Sequence, residues 1–329
     1  VVAVTYGITI KSVQDEYIIM TERTMDLIGK ATVPGANLYD LIQIIKYLPA
    51  WLPFRREAAE GRLMIEELVS KPFYQTREDI SRGFASHSLV SEVLVSEELT
   101  PRREAVVKWA AGSLYGAGAE TERTYATVLT FIMVMALHPE KQKLVHAEMD
   151  RVLGTGRMPH IQDRNDLPYL DAVIKETARW HPILSLSALG IARQTNTGDW
   201  YKGFYIPKGT IIVLNVWAVA FSQNDRYNPQ DLIPETFLDN DFPEIDPASW
   251  SFGFGRRVRP GKAFAENLVF ILIASLVWSF TFSVNDSEVF VPQFTENLVS
   301  YPKLFKCTIT PRSDHHTKMV QDAAMEGRP

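Results

Sequence analysis

The chain has 329 residues, 46% of them hydrophobic and 22% charged, with a net charge of −5. That length supports one large core or two smaller ones, and the acidic balance argues against a nucleic-acid footprint, which needs a basic stripe. A single cysteine excludes an internal disulfide and fits a reducing, intracellular compartment.

In chain order the pattern is mainly α with a small β region late. The opening, Val1 onward without a methionine, carries no signal-peptide pattern and reads as the middle of a domain. Residues from about Val13 to Ile28 place apolar side chains at helical spacing. Helices are expected over Leu38–Tyr47, from about Phe54 to Ser70 after a stiff Pro49–Pro53 loop, and from about Arg77 toward Ser88. Pro101 suits a first helical turn. One helix is expected to run from it to about Leu137, closed by His138-Pro139, a length of roughly 50 Å. Helices over Glu140–Val152 and Tyr169–Trp180 follow. From Asp199 to Asn215 the chain turns aromatic and β-branched, with Pro207-Lys208-Gly209 as a turn signal, and reads as a hairpin or a pair of short strands. Leu268 to Trp278 is the longest apolar run, too short to cross a bilayer, and reads as a buried core helix. Short strands are expected after Ser279, and residues 312–329 read as a polar, disordered tail.

Three groups of residues carry chemical information. Ala117-Gly118-Ala119-Glu120-Thr121 sits within the long predicted helix, just after Gly116. Interior glycines cost a helix about 1 kcal/mol each relative to alanine, and close helix packing is the simplest reason for them. Glu176 and Arg179 are three apart and share a helix face; for an arbitrary pair this means a surface ion pair worth a few tenths of a kcal/mol. Phe252-Gly253-Phe254-Gly255-Arg256-Arg257-Val258-Arg259-Pro260-Gly261, running on into Ala265, is a tight loop that opens an apolar helix. The seven histidines show no metal-ligand spacing. His138 and His181 precede prolines at helix ends, and His315-His316 lies in the polar tail. Phe131, Met133 and Met135 read as core.

The loop from Phe252 to Ala265 resembles the haem-binding loop of cytochrome P450 enzymes, Phe-Gly-x-Gly-x-Arg-x-Cys-x-Gly-x-x-x-Ala. Phe252, Gly253, Gly255, Arg257, Gly261 and Ala265 match. Arg259 stands where the family has the cysteine that ligates the iron, so the resemblance supplies no metal ligand. Glu120 and Thr121 match the oxygen-activation segment, in which an acid and a hydroxyl relay protons; Glu122 follows where a second small hydroxyl is usual. Glu176 and Arg179 match the Glu-x-x-Arg element, which in the family is buried and completed by an arginine in Pro-Glu-Arg-Phe. Here that stretch is Pro234-Glu235-Thr236-Phe237, so the third charge is missing. Arg193 lies where the family places a propionate partner, a role a guanidinium suits, although a solvated surface arginine reads equally well there. Arg257 is the better propionate candidate.

The resemblance covers about Val1 to Pro311 and looks fungal, notably at Arg179-Trp180-His181-Pro182. It implies a partial P450-like domain over 1–311. The front part, including the membrane anchor and first sheet, is expected to be missing. It also implies haem as cofactor, a small apolar organic substrate, a P450 reductase as partner and an endoplasmic-reticulum membrane location for anchored members. Three functions are compatible with the sequence. The chain is a degenerate relative without normal monooxygenase activity, or an active monooxygenase whose natural sequence has cysteine at 259 and a longer N-terminus, or a haem-free protein that binds apolar ligands. Cys307, expected in a late strand, is poorly placed to replace the missing ligand.

Overall fold

Proline sets where the long helices begin. Its fixed φ and missing N–H suit a first turn, and Pro53, Pro139 and Pro168 each open one. The computed structural model describes residues 1–329 except 11, 13, 32–41, 50, 97–98, 119–120, 155, 184–192, 223–225, 243, 256–257, 259–260, 285–289, 296–299 and 327–329. The chain forms two compact units, Val1–Thr121 and Glu122–Pro329.

Among its described residues the first unit is all helical. It contains α1 (Val2–Tyr6), α2 (Glu16–Ala31), a 3-10 turn at Gln43–Tyr47, α3 (Pro53–Ser81), α4 (Leu89–Ser96) and α5 (Pro101–Gly118). Tyr6, Tyr17, Leu68, Phe73, Val90 and Tyr115 build its core. The helix expected over Leu38–Tyr47 is seen only as the 3-10 turn, with 38–41 outside the described residues. The largest departure is α3. It runs through Pro72 to Ser81, not to Ser70, although an interior proline costs about 3 kcal/mol. Leu68, Val69, Pro72, Phe73 and Thr76 are all buried on one stripe, so burial outweighs the local penalty. The helix expected from Arg77 toward Ser88 is therefore the end of α3. The next helix starts after Ser88, where Ser88 and Ser91 exchange backbone-to-hydroxyl bonds of 2.8 and 3.1 Å, a reciprocal cap. Gly112 lets α5 approach α3 closely: a Cβ there would lie 2.5 Å from Val69 Cγ2.

The second unit begins at Glu122, within α6 (Thr121–Leu137). The single helix expected from Pro101 to Leu137 is thus described as α5 and α6, with Ala119 and Glu120 outside the described residues. Next come α7 (Pro139–Leu153), a 3-10 turn at Ile161–Asp166 and α8 (Pro168–Trp180). Glu148 of α7 accepts the first backbone N–H groups of α8, from Tyr169 and Leu170, both at 2.9 Å. These donors have no partner inside their own helix. Gln142 ties α7 to a late strand, accepting from Phe282 N at 2.8 Å and donating to Phe282 O at 2.9 Å.

The β region is small. Strands β1 (Arg193–Gln194), β2 (Asp199–Tyr201), β3 (Phe204–Ile206) and β4 (Ile211–Ile212) pair antiparallel, β1 with β4 and β2 with β3. The tight turn of the β2–β3 hairpin is Lys202-Gly203, with φ of 47° and 83°, the geometry a two-residue hairpin loop prefers. Pro207-Lys208-Gly209 turns the chain into β4 instead. Short helices α9 (Val216–Ala220) and α10 (Ala248–Ser251) precede α11 (Lys262–Ser279), and β5 (Phe280–Ser283) pairs with β6 (Thr308–Pro311).

Helix α11 begins earlier than the Leu268–Trp278 run suggested. Among the described residues it is the one helix long and apolar enough to cross a membrane. Phe270, Ile273, Ala274, Val277 and Trp278 are fully buried against Phe131, Val145, Met149, Leu170 and Val173, as in the core helix the sequence implied. Residues 312–329, expected as a disordered tail, instead contain α12 (Asp314–Glu326), which buries His316.

Candidate functional site

Among the described residues, a fully bonded polar constellation lies at the end of α8. Glu176 and Arg179 are buried, one turn apart. Arg179 Nε donates to Glu176 Oε2 at 2.7 Å, and Nη2 to Oε1 at 2.8 Å, the bidentate geometry that suits a carboxylate. Arg179 Nη1 also donates to the carbonyls of Ala220 at 3.2 Å and Pro229 at 2.8 Å, and Nη2 to that of Asp231 at 2.9 Å. All five guanidinium protons are therefore used. Glu176 Oε1 accepts in addition the backbone N–H of Ile233 at 2.6 Å. Burial lowers the pKa of Arg179, but its bonds to Glu176 outweigh this and leave it above the usual value.

The missing third charge thus leaves no unpaired group on Arg179. The Thr236 hydroxyl donates to Ile233 O at 2.9 Å and belongs to the 3-10 turn Pro234–Phe237. Glu235 of the same turn is held from two helices. Lys141 Nζ donates to both its oxygens at 2.8 and 3.0 Å, and the Tyr169 hydroxyl to one at 3.0 Å. Tyr227 faces the Arg179 guanidinium, with its ring centroid 6.0 Å away, and donates its hydroxyl to Glu244. Burial, with Glu244 adding to it, pushes the Tyr227 phenol up to about 12.

His181 follows α8 as its C-cap, donating its backbone N–H to Thr177 O at 3.1 Å, and its side chain is buried. Its ring stacks on Phe294 at 3.5 Å between centroids, and Nε2 lies 3.1 Å from Ser300 Oγ. Ser300 Oγ donates to Thr295 O at 2.8 Å, which leaves His181 Nε2 as the donor of their shared bond. Burial holds the imidazole down to about 4.

The loop between α10 and α11 is described at Phe252–Gly255, Val258 and Gly261. Arg256, Arg257, Arg259 and Pro260 lie outside the described residues, as does Glu120. Gly253 and Gly255 have φ of 87° and 59°, the left-handed region where a side chain is strained. Gly261 is different: its φ is −81° and a Cβ there would meet nothing within 4 Å. It caps α11 by accepting Ala265 N–H at 2.9 Å. Lys262 Nζ lies 6.0 Å from the Phe252 ring centroid. Thr121 is the first residue of α6. Arg193 lies exposed on β1, opposite Ile212.

Cys307 is half-buried beside the main core, just before β6. Its thiol contacts Thr308 O at 3.7 Å. Burial pushes its pKa up, only partly opposed by a backbone hydrogen bond from Ser283, so it is a neutral thiol at pH 7. No group of three or more His, Cys, Asp or Glu side chains converges with metal-binding geometry among the described residues.

Sequence reasoning paired Glu176 with Arg179 correctly but missed what completes the pair. The acceptors are main-chain carbonyls of residues 220, 229 and 231, which no side-chain motif encodes. Tyr227 and Glu244 were missed as well, because neither belongs to a local pattern.

Comparison with known proteins adds the context. The profile of the family Cytochrome P450 matches residues 1–309. The chain is 37% identical over 301 residues to cytochrome P450 monooxygenase claR of Ampulloclitocybe clavipes, covering 88% of this chain and 55% of that protein. It is 33% identical over 340 residues to cytochrome P450 monooxygenase ppsD of Aspergillus oryzae, covering 99% and 63%. The chain therefore spans between half and two thirds of the length of these relatives. A zebrafish cytochrome P450 structure with progesterone superposes with a TM-score of 0.71 at 24% identity, covering 94% of this chain and 68% of that one.

Proposed function

This chain belongs to the cytochrome P450 family, and from that premise we propose that it carries the family's scaffold without its haem-thiolate chemistry. One observation carries the reading: Arg259 occupies the ligand position of the loop. An iron centre of this type needs an axial thiolate. A guanidinium offers no lone pair and stays protonated, so it repels a cationic metal. The sole cysteine, Cys307, is a neutral thiol beside the core, and a thiolate is the ligating species. The donor set does not fit a thiolate-ligated haem.

Two features support retention of the scaffold. The Glu176–Arg179 pair is buried and satisfied, and Gly253 and Gly255 keep the left-handed turns of the loop. Family members as a class act on small organic molecules with electrons from a redox partner; this reading keeps the fold and drops electron acceptance at a thiolate centre.

The test is the reduced, CO-bound absorption spectrum of the purified chain after incubation with haemin. No red-shifted thiolate band is expected, and a clear thiolate-type spectrum from this sequence sinks the proposal. Sequencing the source transcript at codon 259 distinguishes it from the competing reading, an active monooxygenase with cysteine there.

A further inference from the structure

Helix α12 is attached through an unusual set of groups. Its His316 is 4% exposed, and the ring meets the Trp278 ring edge-on at 4.5 Å. Nδ1 shares a 2.8 Å hydrogen bond with Ser313 Oγ. Nε2 is buried with no partner, as is Trp278 Nε1 beside it. Just before the helix, Arg312 N donates to Ser279 O at 3.0 Å, and Arg312 Nη2 reaches both oxygens of Asp150 on α7 at 2.8 and 2.7 Å. His146, one turn before Asp150 on the same helix, also buries an unpartnered Nε2. Met319 packs on the main core.

We propose that α12 is a pH-responsive clasp, docked on α11 while His316 is neutral and released when that imidazole takes a proton. The reason is local. A protonated imidazole has two N–H donors, and the second would point into a site with no acceptor. The groups around His316 cannot repair this. From α11 it meets Trp278, a donor only. Arg312, between β6 and α12, is already cationic. Asp150 of α7 has both oxygens on that guanidinium, His146 of α7 is a second buried imidazole, and His315 on α12 adds no negative charge. A buried unpaired charge is costly, and undocking removes the cost.

Burial, with Arg312 and His315 adding to it, holds His316 below its ordinary value. Burial and Arg312 hold His146 down to about 4. The sign follows: a depressed imidazole favours the docked state above about pH 6.5, and that preference is lost as pH falls through the window below.

The test is hydrogen exchange of the full chain at pH 7 and pH 5, expressed as protection factors corrected for intrinsic rate. Protection over 314–326 should fall, by at most about tenfold for each pKa unit by which His316 is depressed, while residues 131–136 of α6 keep theirs. In His316→Phe, which keeps the apolar contact with Trp278, the fall should shrink to under about threefold. His316→Asn, which keeps a hydrogen-bonding group near Ser313, should behave the same way. The proposal is overturned if protection of 314–326 is equal at the two pH values. It also fails if protection is lost equally from 131–136, or if it falls as steeply in both variants. An NMR titration of His316 in the unaltered chain with a midpoint at the ordinary histidine value overturns it independently.

Discussion

Replacing Glu176 by glutamine keeps the shape of the α8 constellation and removes its negative charge. Arg179 would retain its bonds to the carbonyls of Ala220, Pro229 and Asp231. Its cation would then lie buried without a counter-ion, and the new amide N–H₂ would face donors of Arg179 or of Ile233. Removing one partner of a buried pair costs about 3–5 kcal/mol. For a unit the size of Glu122–Pro329, each kcal/mol moves Tm by about 2–4 °C, so Tm should fall by roughly 6–20 °C. Scanning calorimetry, checked by far-UV circular dichroism, measures this. A loss below about 1 kcal/mol is what an exposed pair gives, and would show that the pair is solvated and the buried assignment wrong. Thr236→Arg provides the control. The guanidinium of Arg179 has no unpaired donor, so a third cation should add less than about 1 kcal/mol, with little coupling to Glu176→Gln in a double-mutant cycle. A gain of several kcal/mol that vanishes in the glutamine background would mean that the network does lack a partner.

Three further outcomes are expected. His181, held down to about 4 by burial, stabilises the fold above about pH 6.5 and loses that contribution as pH falls toward its depressed value. Roughly 3 kcal/mol is at stake, and the pH dependence of Tm between 7 and 4 should flatten in His181→Asn; an unchanged slope would exclude His181 as its source. Gly112→Ala should destabilise by about 1–3 kcal/mol through overpacking against Val69, read from a urea midpoint, and a neutral result would mean that α5 and α3 are less tightly packed than described. Trp200 and Tyr205 pair across β2 and β3 with ring centroids 5.2 Å apart and are 68% and 56% exposed, and exposed apolar surface of this kind promotes association. Sedimentation velocity should show self-association that weakens in a Trp200→Lys, Tyr205→Ser double variant; a monomeric parent chain would end this idea.

Much of the helical framework was legible because proline and periodicity mark it. α7 and α8 begin at Pro139 and Pro168, within a residue of the expected starts. The errors arose where tertiary contacts override local rules. Pro72 argued for a break in α3, yet the buried stripe from Leu68 to Thr76 carries the helix past it. The polar residues after Ser313 argued for disorder, yet Arg312, His316 and Met319 each find a partner that lies far away in sequence. At the candidate site, side-chain motifs were readable and main-chain acceptors were not. Glu176 and Arg179 could be paired from their spacing alone, but the three carbonyls come from a stretch with no motif, and only folding brings them to one guanidinium.

Because Arg179 grips carbonyl oxygens, it is indifferent to which side chains stand at 220, 229 and 231. These three bonds constrain the path of the chain, not the side chains, although Tyr227 in the same stretch does face the guanidinium with its ring. Length is another matter. Inserting or deleting a single residue between 220 and 229 would shift Pro229 and Asp231 out of step with Ala220, and two acceptors would be lost together. The three carbonyl bonds therefore act as a gauge of chain length rather than of residue identity, and variation through this region should be poor in insertions or deletions.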